Sequence, residues 1–256
     1  IHGLDNDPYH LVLLCENQKG YENLCYLVSE AFLHGFYGKP RVDLELLEGH
    51  HEGLIALSAC LAGAIPQALM NENYDEAKRM ALELSRIFGP EHFYLEMQDH
   101  GIDKQRPVNQ GLQRLARETG LPLVVTNDAH YLRREDADMQ DVLLCIQTGK
   151  TVVDLNRMRF ETQEFYLKSE QELRQLFPGC DEAFDNTVKI AQMCNVDFTF
   201  HEYHLPAYPV PEGYTNEGYF RMLCEKGFQE RYPDAPQEYR ERMEYEINVI
   251  SSMGYV

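Results

Sequence analysis

The sequence predicts an α/β fold: βαβ units around a mainly parallel sheet, followed by a helical segment. Three observations carry this expectation. Short apolar runs alternate with amphipathic stretches at helical spacing as far as residue 149. The connections between them are short, as in βαβ units. A stretch containing Pro206, Pro209, Pro211 and Gly213 then separates this region from two further helical stretches.

The elements follow in order. Residues 10–15 read as a strand, and residues 21–36 as a helix with Leu24, Leu27, Val28, Ala31 and Phe32 on one face. Residues 54–59 form a second strand. A helical region from Ala64 is broken by a turn at residues 71–73, resumes through Ala77, Met80, Ala81, Leu84 and Ile87, and stops at Gly89-Pro90. Residues 93–97 are a third strand, 108–119 a helix ending at Gly120, 121–126 a fourth strand and 136–148 a helix ending at Gly149. Residues 165–168 read as a short strand. Ser169 and Glu172 have the spacing of a capping box for a helix through Leu176. Residues 182–194, 216–232 and 237–253 are further helices. The expected organisation is one domain over residues 1–200, a linker over 201–213, and the helical start of another region over 214–256.

Composition narrows the function. The 256 residues carry 42 Asp and Glu against 23 Lys and Arg, a formal charge of −19. Nonspecific DNA affinity comes from cations that displace counterions from phosphates. Any grip on DNA is therefore expected to lie mostly outside this segment. No apolar run approaches the roughly 20 residues that span a bilayer, and no basic-then-apolar leader opens the chain. The first residue is Ile1 rather than Met, which reads as an internal segment. Seven widely spaced cysteines with no C-x-x-C pair argue against a disulfide framework and for a reducing, cytoplasmic compartment. The phosphate-binding loop G-x-x-x-x-G-K-[ST], the dinucleotide fingerprint G-x-G-x-x-G and the hydrolase elbow G-x-S-x-G are all absent.

In folds of this class chemistry gathers at strand exits. Asp128 and His130 follow the apolar run 121–125, and an extended chain would point both to one side. A carboxylate and an imidazole there suit a divalent metal. The plainer alternative is a loop-capping Asp and a surface-packed His. Cys60 follows the strand 54–59, where a thiolate could ligate zinc or a thiol could simply pack. His10 sits at the start of its strand, the wrong end for a barrel site. Glu96, Asp99 and His100 read as a solvated acidic loop, with an outer-shell role as the alternative. Asp136 and Asp138 resemble paired polymerase carboxylates, but the first turn of a helix does not face residues two apart together. Arg133, Arg134, Lys150, Arg157 and Arg159 read as ordinary surface salt bridging.

Several stretches are similar to one family. They include GYENL (20–24), GFYGKPR (35–41), GLIALSACLAG (53–63), FYLEMQDH (93–100), TNDAHYLRREDADMQDVLLCIQTGK (126–150) and RFETQEFYLKS (159–169). The chain resembles the α subunits of bacterial DNA polymerase III, the C-family replicative polymerases, along nearly its whole length.

That resemblance implies a PHP domain, a distorted seven-stranded β/α barrel, here incomplete and lacking its N-terminal strands, followed by a helical segment leading to the palm. It implies four metal ligands, His10, Cys60, Asp128 and His130, for Zn²⁺ or Mn²⁺. The family's opening H-x-H motif and its next ligands would precede Ile1. The palm carboxylates, with their Mg²⁺, would follow Val256. The parent activity implied is DNA-templated DNA synthesis, with a metal-dependent 3′–5′ exonuclease in the PHP domain. The alternatives are a scaffold that stabilises the polymerase and binds a proofreading subunit, and a free-standing phosphoesterase. Implied partners are DNA through other domains, the proofreading exonuclease subunit and the sliding clamp.

Overall fold

A computed structural model of the chain describes residues 7–202 and 206–256. Residues 1–6 of the expected first domain and 203–205 of the expected linker lie outside the described residues. The chain divides into two compact units, Ile1–Phe198 and Thr199–Val256.

The first unit is a mixed α/β fold. Its sheet, among the described residues, has four strands in the order β1-β2-β3-β4: Val12–Cys15, Leu54–Leu57, Phe93–Met97 and Leu123–Val125. β2, β3 and β4 run parallel, and β1 is antiparallel to β2 with Val12 opposite Leu57 and Cys15 opposite Leu54. The mainly parallel expectation holds, and the antiparallel β1 has consequences for the site.

Alternation along the strands gives the sheet two faces. Phe93, Leu95 and Met97 of β3 join Leu54, Ala56 and Val125 in the main core. Tyr94 joins Ile55, Leu57, Val124 and Ile190 in a smaller cluster on the other face. All five β3 residues are buried. Each large apolar side chain so buried contributes roughly 1.5–3 kcal/mol.

The main core is closed by helices α1 (Gln18–Leu33), α2 (Leu44–Gly49), α3 (Ala64–Met70), α4 (Tyr74–Phe88) and α5 (Gln105–Thr119). The break between α3 and α4 falls at Asn71–Asn73 as expected, where the Asn73 side chain accepts from the Glu76 N–H. α1 begins three residues before its expected start because the Asn17 side chain caps it, accepting from the Gly20 N–H at 3.0 Å. Of its expected inward face, Leu27 and Ala31 are buried. Val28 and Phe32 are instead exposed and line an apolar groove of about 640 Å³. α2 had no sequence expectation, since six residues are too few for a clear period.

Beyond β4 come α6 (Ala137–Thr148), α7 (Glu170–Leu176) and α8 (Asp181–Met193). The strand expected at residues 165–168 is not a ladder. It makes one bridge, Tyr131 to Tyr166, while the Asn127 side chain pairs with the Lys168 backbone, accepting from its N–H at 3.1 Å and donating to its carbonyl at 2.9 Å. The Asn127 amide thus extends a short backbone pairing in which the His130 N–H donates to the Phe165 carbonyl at 2.8 Å and the Leu167 N–H to the Tyr131 carbonyl at 3.2 Å.

The capping box at α7 is present. Glu172 accepts from the Ser169 N–H at 2.8 Å and hydroxyl at 2.7 Å, and from the Tyr166 hydroxyl at 2.7 Å. The Ser169 backbone first, then the Tyr166 and Ser169 side chains, hold this carboxyl at about 2, below the usual 4.5. The folded value is depressed, so the stabilisation is present above pH 4.5 and lost as pH falls towards 2. α7 amides are therefore expected to lose protection from hydrogen exchange over that window. Equal protection, after correction for intrinsic rates, at pH 5 and pH 2 would contradict this.

All seven cysteines are free. Among the described residues no helix is long and apolar enough to cross a membrane. The second unit contains α9 (Asn216–Arg231) and α10 (Gln237–Ser252). They are tied by Arg221–Glu244 at 2.8 Å and Arg240–Glu225 at 3.1 Å, and Arg240 lies over the Phe228 ring. Residues 206–211, within the expected linker, carry no helix or strand.

Candidate metal centre

The antiparallel sense of β1 answers the objection to His10. The start of an antiparallel strand lies beside the exits of its parallel neighbours, so His10 reaches the same end of the sheet as Cys60 and Asp128. The His10 N–H donates to the Ala62 carbonyl at 3.0 Å, and His10 bridges to Gly63. His10 Nδ1 then stands 3.5 Å from Cys60 Sγ.

The backbone turns sharply at this exit. Ala59 adopts φ 65°, a left-handed conformation that costs a non-glycine residue roughly 1–2 kcal/mol. Strain of this kind at a strand exit is a pointer to function. Gly63 closes the turn, its N–H donating to the Cys60 carbonyl at 2.8 Å. Burial pushes the Cys60 thiol up, the Ala62 backbone opposes this, and the charges of Asp128 and Glu96 push it further.

Asp128 leaves β4 at φ 43°, so the chain is not extended between Asp128 and His130 as expected. The left-handed turn, which Asp tolerates, nonetheless brings the two side chains together: His130 Nε2 is 3.6 Å from Asp128 Oδ1. His130 also packs against Phe160 and Phe165.

These four residues form two pairs. His10, Cys60 and Asp128 line one cavity of about 570 Å³, together with Glu96, Gln98 and Thr126; His130 is not part of that lining. Among the described residues no three His, Cys, Asp or Glu side chains form a preassembled metal cluster.

Glu96 and His100 correct the expectation of a solvated acidic loop. Glu96 is on β3 and 5% exposed, and His100 is 1% exposed. The parallel neighbours β2 and β4 enclose β3, which sequence spacing does not reveal. Glu96 Oε1 accepts from the Thr126 hydroxyl at 2.5 Å and the Gln98 amide at 2.9 Å. Burial pushes its carboxyl up, the Thr126 and Gln98 side chains and the Ala59 backbone pull it back, and the Asp128 charge adds to the rise. His100 Nε2 donates to the Asn127 carbonyl at 2.8 Å while Nδ1 accepts from the Gln105 amide at 2.8 Å. Burial lowers its basicity, in keeping with this neutral form. Stacked 4.2 Å from Phe165, His100 holds the backbone just before Asp128. Asp99 does stay near solvent, where its Oδ1 accepts from the Gly101 N–H.

Elsewhere, Asp136 lies in a short 3₁₀ turn and Asp138 in the first turn of α6, with no shared site. Of the basic group, Arg134 pairs with Glu164. Arg157 is not a surface pair: its side chain is 6% exposed and grips Asp141 through two bonds of 2.5 and 2.7 Å. Such bidentate pairs add geometric specificity that a single-point surface contact lacks.

By donor type, His10, Cys60 and Asp128 suit a divalent metal. Two ligands at about 2.0 and 2.3 Å from one tetrahedral zinc would stand roughly 3.5 Å apart, matching the 3.5 Å His10–Cys60 separation. Two buried polar atoms on the cavity wall, Glu96 Oε2 and Gln98 Oε1, also have no hydrogen-bond partner.

Residues 2–100 match the PHP domain. The chain is 45% identical over its full length to DNA polymerase III subunit alpha of Treponema pallidum, covering 22% of that protein. It is 47% identical over 93% of its length to the subunit of Thermus aquaticus, covering 20%, and 44% identical over 96% to that of Borreliella burgdorferi, covering 22%. The chain thus spans about a fifth of the length of these curated relatives. The chain is thus similar along nearly its whole length to a segment of bacterial DNA polymerase III α subunits, and over residues 2–100 to the PHP domain.

Proposed function

We propose that the chain is part of a replicative DNA polymerase α subunit, a nucleotidyltransferase of DNA replication in the cytoplasm, and that its cavity is a divalent-metal site. The observation that carries the second half is the convergence of His10, Cys60 and Asp128 on one cavity at the strand exits. The four strands would be part of the distorted seven-stranded barrel that the family resemblance implies. The polymerising carboxylates and their Mg²⁺ would lie elsewhere in the polypeptide. So would most contacts to DNA, given the charge of −19.

His10, Cys60, Asp128 and His130 would hold the metal. A nitrogen and sulfur pair favours Zn²⁺ over Mn²⁺. A bound divalent metal would supply an activated water and stabilise charge on a phosphodiester. Around it, Cys60 would enter as thiolate, Asp128 would balance the cation's charge, and the His130–Phe160–Phe165 packing would keep the imidazole in place. A site so loaded would support metal-dependent 3′–5′ exonuclease chemistry.

A second reading, a scaffold that stabilises the polymerase and docks a proofreading subunit, is favoured by one observation: the two ligand pairs are not preassembled into a cluster. Sliding-clamp binding would belong to the parent protein in either case.

The test is made on the full-length protein. Metal content by mass spectrometry is expected to include zinc, and primer extension is expected to be template-dependent. Metal-dependent release of 3′ nucleotides supports the exonuclease, and its absence in zinc-loaded protein supports the scaffold. A protein that neither binds metal nor extends primers would overturn the proposal.

A further inference from the structure

Glu96 on β3 and Gln98, the first residue past its end, lie two apart in the chain, and both line the same cavity, Glu96 on the sheet face that carries Tyr94 rather than the main core. Both line the cavity with His10, Cys60 and Asp128. They are 5% and 7% exposed, and each keeps one oxygen, Glu96 Oε2 and Gln98 Oε1, without a partner. The orientations are determined by their other atoms. The Gln98 amide nitrogen donates to Glu96 Oε1 at 2.9 Å and contacts the Thr126 hydroxyl oxygen at 3.2 Å, and that hydroxyl donates to Glu96 Oε1. A reversed amide would set oxygen against carboxylate.

A carboxylate oxygen and a carbonyl oxygen buried without donors carry a desolvation penalty. Burying a carboxylate is costlier still unless it is paired or coordinates a metal. Within the described residues no Lys or Arg lines this cavity. Oxygen pairs of this kind suit a divalent cation.

We infer that Glu96, assisted by the Gln98 carbonyl, is an oxygen ligand, direct or through one water, for the cation of this cavity. The inference rests on the metal-site reading above and adds residues that the four-ligand set omits. It also completes the cavity's chemistry: nitrogen and sulfur from His10 and Cys60 on one side, oxygens from Asp128, Glu96 and Gln98 on the other.

The experiment compares wild type, Glu96→Gln, Gln98→Leu and Cys60→Ser in the full-length protein. Each is stripped of metal and titrated with Zn²⁺ alone and with Mn²⁺ alone, and melting is followed with and without metal. Glu96→Gln is expected to weaken cation affinity at least 10-fold, as loss of even an outer-shell partner does at roughly 10–100-fold. The metal-free form should melt at or above wild type, because a buried carboxyl with one oxygen lacking a partner has been replaced by a neutral amide. Gln98→Leu should weaken affinity less. A merely structural role predicts the opposite pattern: a lower metal-free melting temperature and unchanged affinity. Wild-type affinity in Glu96→Gln with loss in Cys60→Ser would overturn the inference and leave the metal site standing. Wild-type affinity in both would overturn the site as well.

Discussion

Asp128→Asn and His130→Phe are each expected to lower metal affinity of the full-length protein at least 10–100-fold, since loss of an outer-shell partner alone typically costs that much. Both substitutions spare the scaffold. Asn tolerates the left-handed φ of 43° that Asp128 adopts, so the turn after β4 should survive. Phe keeps a ring against Phe160 and Phe165 while removing the nitrogen ligand; His130→Ala would lose both at once. If the domain is an exonuclease, metal-dependent 3′–5′ cleavage should vanish in both variants while primer extension persists. If it is a scaffold, there is no cleavage to lose, and melting temperature or polymerase activity should fall instead. Metal content by mass spectrometry decides the ligand question separately from activity. Unchanged content in both variants would remove Asp128 and His130 from the site.

Gly63→Ala is expected to be the most damaging single methyl in the first unit's site. The backbone at Gly63, φ −71° and ψ 155°, is open to any residue, so the demand is steric. An added Cβ would sit 2.1 Å from the Ser58 carbonyl oxygen, 3.2 Å from that of Cys60 and 3.3 Å from Pro66. Backbone atoms cannot swing aside as a flexible side chain does. Overpacking of this sort costs about 3 kcal/mol, the upper part of its usual range. In a chain of this size that is roughly 6–12 °C of melting temperature. The same movement should part His10 from Cys60, because Gly63 bridges to His10 and donates to the Cys60 carbonyl. Stability and metal affinity should therefore fall together. Gly49→Ala is the control, since its added methyl meets nothing within 4 Å. A Gly63→Ala protein that melts with wild type would show that the turn can relax, and would contradict the close packing described.

Most of the element order was legible in the sequence, because period and punctuation are local. Asn71–Asn73 between α3 and α4, Gly120 after α5, Gly149 after α6 and the Ser169–Glu172 box each act within a turn or two of where they stand. Boundaries slipped where a side chain outside the apolar pattern did the capping, as Asn17 does for α1. The 165–168 stretch has strand composition but only a one-bridge backbone partner at Tyr131, and the Asn127 side chain supplies the rest of the pairing. Of the site, the D-x-H spacing, Cys60 after its strand and the family resemblance were visible in the residues themselves.

Local pattern and composition carry the α/β class, the succession of strands and helices and the acidic charge, and the family resemblance points to Cys60, Asp128, His130 and His10. Their placement in space comes from contacts between distant segments. The antiparallel sense of β1 carries His10 to the exits of parallel strands, which no period in the sequence encodes. Left-handed turns at Ala59 and Asp128 aim the chain where an extended reading could not. Burial of β3 between β2 and β4 turns Glu96 from a surface acid into a buried carboxylate on the cavity wall with one oxygen left without a partner. The physical reason is common to all three. Periodicity records which face of an element is apolar, whereas strand direction, turn handedness and desolvation depend on neighbours distant along the chain.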